Sequence, residues 1–274
     1  MIQKNNNLSV LPFYQSIEEQ NHRRSYAYGQ IYPLYTQVGV IPPFQIIVPY
    51  NSETFSSASL FRADGTLVTS GAMSALINGG LTKDTFQSEG YSVIVYPGFA
   101  AAGMPTEEGQ YYLTIALSGG TVLYSDIFTA VGDVSPYVMV EWYDREDLVM
   151  DGCRIIYDVS GQQFKNRVYL NTEIGKPDYE FEEEGETRDG LFFPEKMISE
   201  KTYKMTFLAS EYLCDVMRFV RMADVVRVTD RYGRQYVCDT FLMTPKWETQ
   251  GDVASVEAEF QTNTVAKRIG RSFI

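Results

Sequence analysis

The chain has 274 residues, of which 35 are acidic and 23 basic, so it carries a net charge of −12 and has a pI near 4.6. This balance argues against nucleic acid as the main partner, because neutralising phosphates requires clustered Lys and Arg. No apolar run reaches the roughly 18 residues of a membrane helix, and the N-terminal residues lack the apolar core and cleavage site of a signal peptide. We therefore expect a protein made in the cytoplasm and either kept there or exported without Sec, with room for two domains.

Residues that usually carry catalysis or bind metals are sparse. The single histidine, His22, lies in a polar leader, which excludes Ser-His-Asp and Cys-His machinery and argues against structural zinc. Cys153, Cys214 and Cys238 have no CxxC spacing, and we predict reduced, mostly buried thiols. Neither a P-loop nor a dinucleotide-binding glycine pattern is present. We expect no catalytic residue, no cofactor and no metal.

Two alternatives concern residues near Trp142. A hydrolase built on paired carboxylates would use Asp144, Glu146 or Glu141, although nothing in the spacing marks a pair. Trp142, Tyr143 and Trp247 would suit a carbohydrate-stacking platform, but alternating positions in a sheet favour the core or a domain interface. The prediction remains a protein that is not an enzyme.

Residues 1–32 are polar and predict an extended arm, or a short helix around residues 16–23, with little core of its own. An isolated subunit would leave such an arm disordered, whereas an assembly would let its aromatic residues pack on a neighbour. Those aromatic residues are Phe13, Tyr14, Tyr26, Tyr28 and Tyr32.

Residues 33–132 read as an all-β domain, because short strands alternate with turn signals every 8 to 12 residues. The predicted strands are 44–48, 59–61, 66–69, 91–96, 110–117 and 121–131. Residues 70–90 are small and irregular, which predicts a long loop or a short helix plus loop and a candidate contact surface.

One motif in this region has a structural meaning. Glu107-Glu108-Gly109-Gln110-Tyr111 resembles the tyrosine corner of immunoglobulin-like domains, where the tyrosine enters the penultimate strand. The resemblance implies that Tyr111 hydrogen-bonds back to nearby backbone, and that Leu113 stands where antibody domains place a disulfide cysteine. It implies a fold and is nearly silent about function.

Residues 133–274 form the second predicted domain, after a boundary at residues 132–136. Strands are predicted at 137–143, 154–158 and 164–170. The acidic run at residues 178–189 predicts a solvated loop, with a calcium site or pairing with a basic patch on a neighbour as the alternatives.

The clearest local pattern lies between residues 199 and 262. An alternating strand at 202–208 leads into Ser210, a good N-cap, and the acid Glu211 suits the first turn of a helix. The helix is predicted over about 210–224, followed by strands at 225–229, 235–242 and 255–261, with Gly233 in the intervening turn. Its expected buried face consists of Leu213, Val216, Met217 and Val220.

The other side of this helix carries both charge signs. Two oppositely charged pairs have a spacing of three residues, Asp215 with Arg218 and Arg221 with Asp224. This spacing indicates solvated ion pairs or, alternatively, a subunit contact. Neither this unit nor the rest of the chain carries a catalytic motif, so the unit at residues 199–262 is the expected place for an assembly function. Its edge strands or its charged face would then meet another subunit.

The run from residue 164 to 262 resembles uncharacterised proteins encoded with phage and prophage tail or virion genes in gut bacteria, and the likeness extends over about residues 137–271. The order of strand, short helix, hairpin and long strands is also similar to the β-barrel-plus-helix unit of tail-tube and distal-tail proteins. In distal-tail proteins the ring domain commonly comes first, whereas here the order is reversed.

The resemblance implies a structural or assembly protein of a virion, a tail or baseplate component made in the bacterial cytoplasm. Its partners would be copies of itself and other virion proteins. The alternative is a binding module whose immunoglobulin-like domain recognises a glycan or protein on a host surface. The expected fold is mainly β: an N-terminal arm, an immunoglobulin-like sandwich, and a β-barrel-like or α+β domain with one main helix.

Overall fold

Strands dominate the computed structural model, and those among the described residues fall into four sheets. The structure describes residues 9–20, 34–49, 54–69, 72–78, 80–86, 91–98, 103–143, 164–247 and 253–268. The first half contains β1 (Phe13–Tyr14), β2 (Leu34–Gln37), β3 (Phe44–Pro49), β4 (Phe55–Arg62), β5 (Leu67–Thr69), β6 (Thr82–Phe86), β7 (Tyr91–Tyr96), β8 (Gly109–Leu117), β9 (Val122–Ser125), β10 (Phe128–Val131) and the helix Ala72–Asn78.

The second half contains one long hairpin among shorter strands. Its strands are β11 (Val138–Tyr143), β12 (Asn166–Leu170), β13 (Asp178–Arg188), β14 (Leu191–Ser210), β15 (Val225–Thr229), β16 (Gln235–Cys238), β17 (Thr240–Trp247), β18 (Val253–Gln261) and β19 (Val265–Arg268). The main helix is Glu211–Met217, which continues as a 3₁₀ helix over Arg218–Met222. The mainly β fold with one main helix is confirmed.

The first half is a two-layer sandwich with immunoglobulin-like strand order. In one sheet β8 pairs with β4 on one side and with β9 and β10 on the other, and β2 runs parallel to β10. The second sheet has the order β3-β7-β6. Strands β3, β7 and β6 therefore occupy the places of strands B, E and D, while β4, β8 and β9–β10 occupy those of C, F and G.

The tyrosine corner forms as the motif predicts. The buried Tyr111 hydroxyl donates a hydrogen bond to the Glu107 backbone oxygen at 3.0 Å. Leu113, two residues further along β8, is fully buried in the sandwich core. The core is thus closed by apolar packing at the position where antibody domains place a cysteine.

Two predicted elements of the sandwich differ in detail. Residues 121–131 form two strands because Ser125 and Asp126 interrupt the pairing with β8, and the Ser125 hydroxyl accepts from the Leu113 N–H at 2.8 Å. Within residues 70–90, the helix Ala72–Asn78 agrees with a short helix, but Thr82–Phe86 is a strand rather than a loop. Its alternation is too short to stand out, and pairing with β7 decides its structure.

In the second half two sheets enclose one core. The sheet β12-β11-β15-β16 faces the sheet β13-β14-β18-β17, and the main helix contributes buried Val216, Met217 and Val220, while Leu213 is partly buried. The run predicted as one strand over 235–242 breaks at Asp239, where the chain leaves the first sheet as β16 and enters the second as β17. This corner connects the two sheets of the second half.

The two halves are in contact, because strand β7 contributes side chains to both cores. In β7, Ile94 and Tyr96 point into the sandwich core, whereas Val93 and Val95 belong to the core of the second half. The described part of the predicted arm, residues 9–20, also packs on its own chain: Val10 is buried in one core and Leu11 in the other, and β1 pairs with β9. Tyr26, Tyr28 and Tyr32, and the strand predicted at 154–158, lie outside the described residues.

Candidate functional site

Glu141, the described member of the suggested carboxylate pair, is held in an ion-pair network. Its side chain is 4% exposed, and the Arg167 Nη2 and Nε atoms donate to Oε2 at 2.6 and 3.2 Å. The Arg227 Nη1 atom lies 3.9 Å from Oε1. Both arginines stand directly opposite Glu141 on the neighbouring strands β12 and β15. The two arginines thus compensate the charge that burial of Glu141 would otherwise leave unpaired. Asp144 and Glu146 lie outside the described residues.

The aromatic platform is not assembled. Trp142 is fully buried in the core of the second half, whereas Trp247 ends the edge strand β17 with its side chain 45% exposed. Tyr143 stands on the other face of β11 from Trp142, with the Lys165 ammonium 4.7 Å from its ring centroid. The three aromatic residues therefore do not offer one surface to a sugar.

The cysteines are buried to different degrees. Cys214 is buried, Cys238 is half-buried, and both are free thiols. Burial raises the pKa of Cys214 to about 11 and that of Cys238 to about 12. These thiols are poor nucleophiles at neutral pH. Cys153 lies outside the described residues.

The residues that the structure describes contain no group of three or more His, Cys, Asp or Glu side chains placed to hold a metal ion. Among the same residues, no helix is long and apolar enough to cross a membrane.

The acidic run is the largest departure from the sequence prediction, since a solvated loop is wrong for it. Residues Asp178–Arg188 form β13, an 11-residue strand paired with the first half of the 20-residue strand β14. On the other side of β14, β19 pairs with Lys196, Met197, Ile198 and Ser199. We call the assembly of β13, residues 191–202 of β14, and β19 the ribbon.

The two faces of the ribbon have opposite character, because successive side chains of a strand point to opposite sides. Tyr179, Phe181 and Glu183 share one face, and the register places them beside Lys201, Ser199 and Met197. Beyond this point β14 continues into the core, where Tyr203, Met205 and Phe207 occupy the same face. We call this side the apolar face of the ribbon.

The opposite side carries the acids. Asp178, Glu180, Glu182 and Glu184 alternate with the aromatic residues, and we call this side the acidic face. Lys196 bridges to Glu184 at 3.1 Å, and the Lys204 ammonium lies 3.7 Å from the Asp178 carboxylate. These exposed pairs are worth little individually, but they lower the repulsion that suggested a loop. The acids and the aromatic residues are neighbours in sequence, but they point to opposite faces of the strand.

The apolar face has no covering layer among the described residues. Tyr179 is 63% exposed, Phe181 71%, Phe192 48% and Val265 61%. Closer to the helix, the same face of β14 is covered by the sheet β12-β11-β15-β16. Tyr236 lies on the edge strand β16 of this sheet, and its ring centroid is 4.9 Å from that of Tyr203. The core side of a sheet therefore runs out into solvent. Exposed apolar surfaces of this kind mark contact sites in folded proteins.

Aromatic rings hold the base of the ribbon. The Lys201 ammonium lies 5.1 Å from the Tyr203 ring centroid and 5.9 Å from that of Tyr179, and the Tyr203 ring stacks on Phe260 at 5.4 Å. A hydrogen bond with the Tyr203 hydroxyl, outweighing the small effect of burial, raises the pKa of Lys201. The base of the ribbon is thus packed on aromatic residues of the core.

The turn between β15 and β16 lies next to this base. The Asp230 carboxylate accepts from the Tyr232 and Arg234 N–H groups at 2.9 Å each, and Gly233 adopts the predicted positive φ of 78°. On the helix, Arg218 and Asp215 form the predicted i,i+3 pair at 3.9 Å, with both side chains at the surface. This agrees with a solvated pair.

The sequence pattern contained a signal for the ribbon that the charge density obscured. Residues 178–182 alternate acidic and aromatic side chains, which is the pattern of a strand with two different faces.

Comparison of the chain with protein-family models, with curated proteins and with solved structures finds no match.

Proposed function

We propose that this chain is a non-enzymatic structural protein of a phage or phage-like virion, a tail or baseplate component, which assembles through its second half. The observation that carries the proposal is the exposed apolar face of the ribbon. An isolated subunit gains nothing from extending the core side of a sheet into water, whereas an assembled subunit can bury it.

The size of the expected contribution follows from the side chains. Burying an aromatic side chain contributes about 1.5–3 kcal/mol, so Tyr179 and Phe181 together supply several kcal/mol of association free energy. The ribbon is presented on a firm base, which limits the entropy lost on binding. These features support a role in assembly, and the virion assignment rests on the resemblance of residues 137–271.

Self-association and incorporation into particles test the proposal. We expect the purified chain to self-associate in sedimentation velocity, and the double variant Tyr179→Ser, Phe181→Ser to weaken that association at least about 100-fold. The matched control is Glu180→Ser, Glu182→Ser, which changes the acidic face of the same strand. Mass spectrometry of purified particles from the producing bacteria should detect the chain.

A chain that stays monomeric at high concentration and is absent from particles would contradict the proposal. If such a chain also bound host cells through its sandwich domain, the result would favour the alternative role, recognition of a glycan or protein on a host surface.

A further inference from the structure

The register of the ribbon makes its apolar face complementary to itself. Glu183 stands opposite Met197, and Met197 stands opposite Lys267, so one row across the three strands reads acid, apolar, base. Glu183 and Lys267 are exposed. They lie two strand spacings apart, about 10 Å, too far for an ion pair within the chain.

The next row has a large apolar side chain at each end. Phe181 stands opposite Ser199, and Ser199 stands opposite Val265. Two large exposed apolar side chains thus flank a small central one. On an identical face, the large apolar flanks can contact each other, while the small Ser199 at the centre adds little contact.

Two-fold symmetry allows two ways of placing this face on an identical face. If the axis runs across the strands at the row of Glu183, β13 lies over β13 of the second copy and like charges meet. If the axis runs along β14, β13 lies over β19 of the second copy. Glu183 then faces Lys267, and Phe181 faces Val265, in both directions of the symmetric contact.

We propose that the apolar face of the ribbon packs on the same face of a second copy of this chain about a two-fold axis parallel to β14. This inference rests on the proposed assembly function and names its partner. The acidic faces of both ribbons stay in water on the outside of the pair, because stacking them would bring carboxylates together.

The available area is small for such a contact. The 11 residues of β13 and their partners in β14 span about 36 Å, but the 4 residues of β19 span only about 13 Å, so each face offers roughly 400 Å². A pair of faces therefore buries about 800 Å², below the roughly 1,000 Å² of a specific interface that stands alone. The contact is thus a joint that other contacts in an assembly supplement.

Disulfide trapping tests the geometry on the full chain. One variant carries Phe181→Cys and a second, tagged variant carries Val265→Cys, and the two are mixed and oxidised. Since disulfides can bridge packed sheets, we expect a reducible heterodimer joined between positions 181 and 265, as peptide mapping will show. The wild-type chain measures the background from the native thiols.

The matched control pair is Glu182→Cys with Ala266→Cys, which occupy the neighbouring row on the acidic face. This pair should not cross-link above background. Predominant bridges between two copies of position 181, or equal trapping by the control pair, would overturn the proposed axis. Self-association without any bridge at 181–265 would overturn it too, but would leave the assembly function standing.

Charge exchange gives a second, independent measurement. Glu183→Lys should weaken self-association about tenfold, and adding Lys267→Glu should restore it, because the pair then forms with exchanged signs. The control Glu182→Lys should change the dissociation constant by less than about threefold. Failure of the second substitution to restore association would contradict the pairing, and a monomeric wild-type chain would remove the assembly function itself.

Discussion

Replacing Glu141 by alanine should destabilise the second half strongly, because two guanidinium groups then lose their counter-charge. The Glu141 side chain is 4% exposed, and those of Arg167 and Arg227 are 29% and 32% exposed. Removing one member of a buried ion pair usually destabilises by about 3–5 kcal/mol, and because water reaches both arginines we expect the lower end, about 3 kcal/mol. In a chain of this size that corresponds to a fall in Tm of roughly 6–12 °C.

Urea unfolding followed by tryptophan fluorescence measures this change, since Trp142, the next residue of β11, is fully buried in the core of the second half. The control is Glu257→Ala, which breaks the pair with Lys246, where the side chains are 56% and 59% exposed. An exposed pair of this kind contributes less than about 1 kcal/mol. If Glu141→Ala were no more destabilising than Glu257→Ala, the assignment of Glu141 to a stabilising network would be refuted.

Three further substitutions test other parts of the fold. Tyr111→Phe removes the hydrogen bond to the Glu107 carbonyl and should lower the unfolding free energy by about 1 kcal/mol in urea titrations, and an unchanged value would contradict its role as a corner. Ser210→Ala removes the acceptor for the Leu213 N–H and should destabilise by about 1 kcal/mol, whereas Ser210→Asp should retain most of the stability. Burial raises the pKa of Tyr96 to about 12, so its stabilising contribution is intact below pH 10 and is lost as the pH rises toward 12. Tyr96→Phe should flatten that alkaline loss in pH-dependent unfolding, and an equal loss in both proteins would point to other groups.

Local rules predicted the elements whose signals lie within a few residues. The tyrosine corner needs only the spacing from Glu107 to Tyr111, and the turn between β15 and β16 needs only Gly233 at positive φ. The start of the main helix follows from Ser210, whose side chain accepts from the Leu213 N–H at 3.3 Å. Each depends on neighbours in sequence, so no knowledge of the tertiary structure was necessary.

The sequence prediction is wrong for three elements whose structure depends on strand pairing. Charge density at residues 178–189 argued for a loop, but β14 supplies the pairing that makes the run a strand. Residues 235–242 read as one strand, yet Asp239 marks the corner between two sheets. Thr82–Phe86 becomes a strand by pairing with β7. β13 pairs with the next strand β14, and β6 pairs with the next strand β7, so in these two cases hydrogen bonds from a second strand, and not the pattern within the run itself, decide the structure.

The sequence by itself determined the class of the protein: a mainly β chain with one amphipathic helix, few candidate catalytic groups and an acidic surface. Only the tertiary structure decided where an apolar surface remains uncovered. Whether a side chain is buried depends on which sheet covers it. β14 has 20 residues, and its first part extends beyond the core that covers its second part. The alternation in residues 178–182 assigns side chains to two faces, but the register with β14 and β19 determines which side chains stand together on each face.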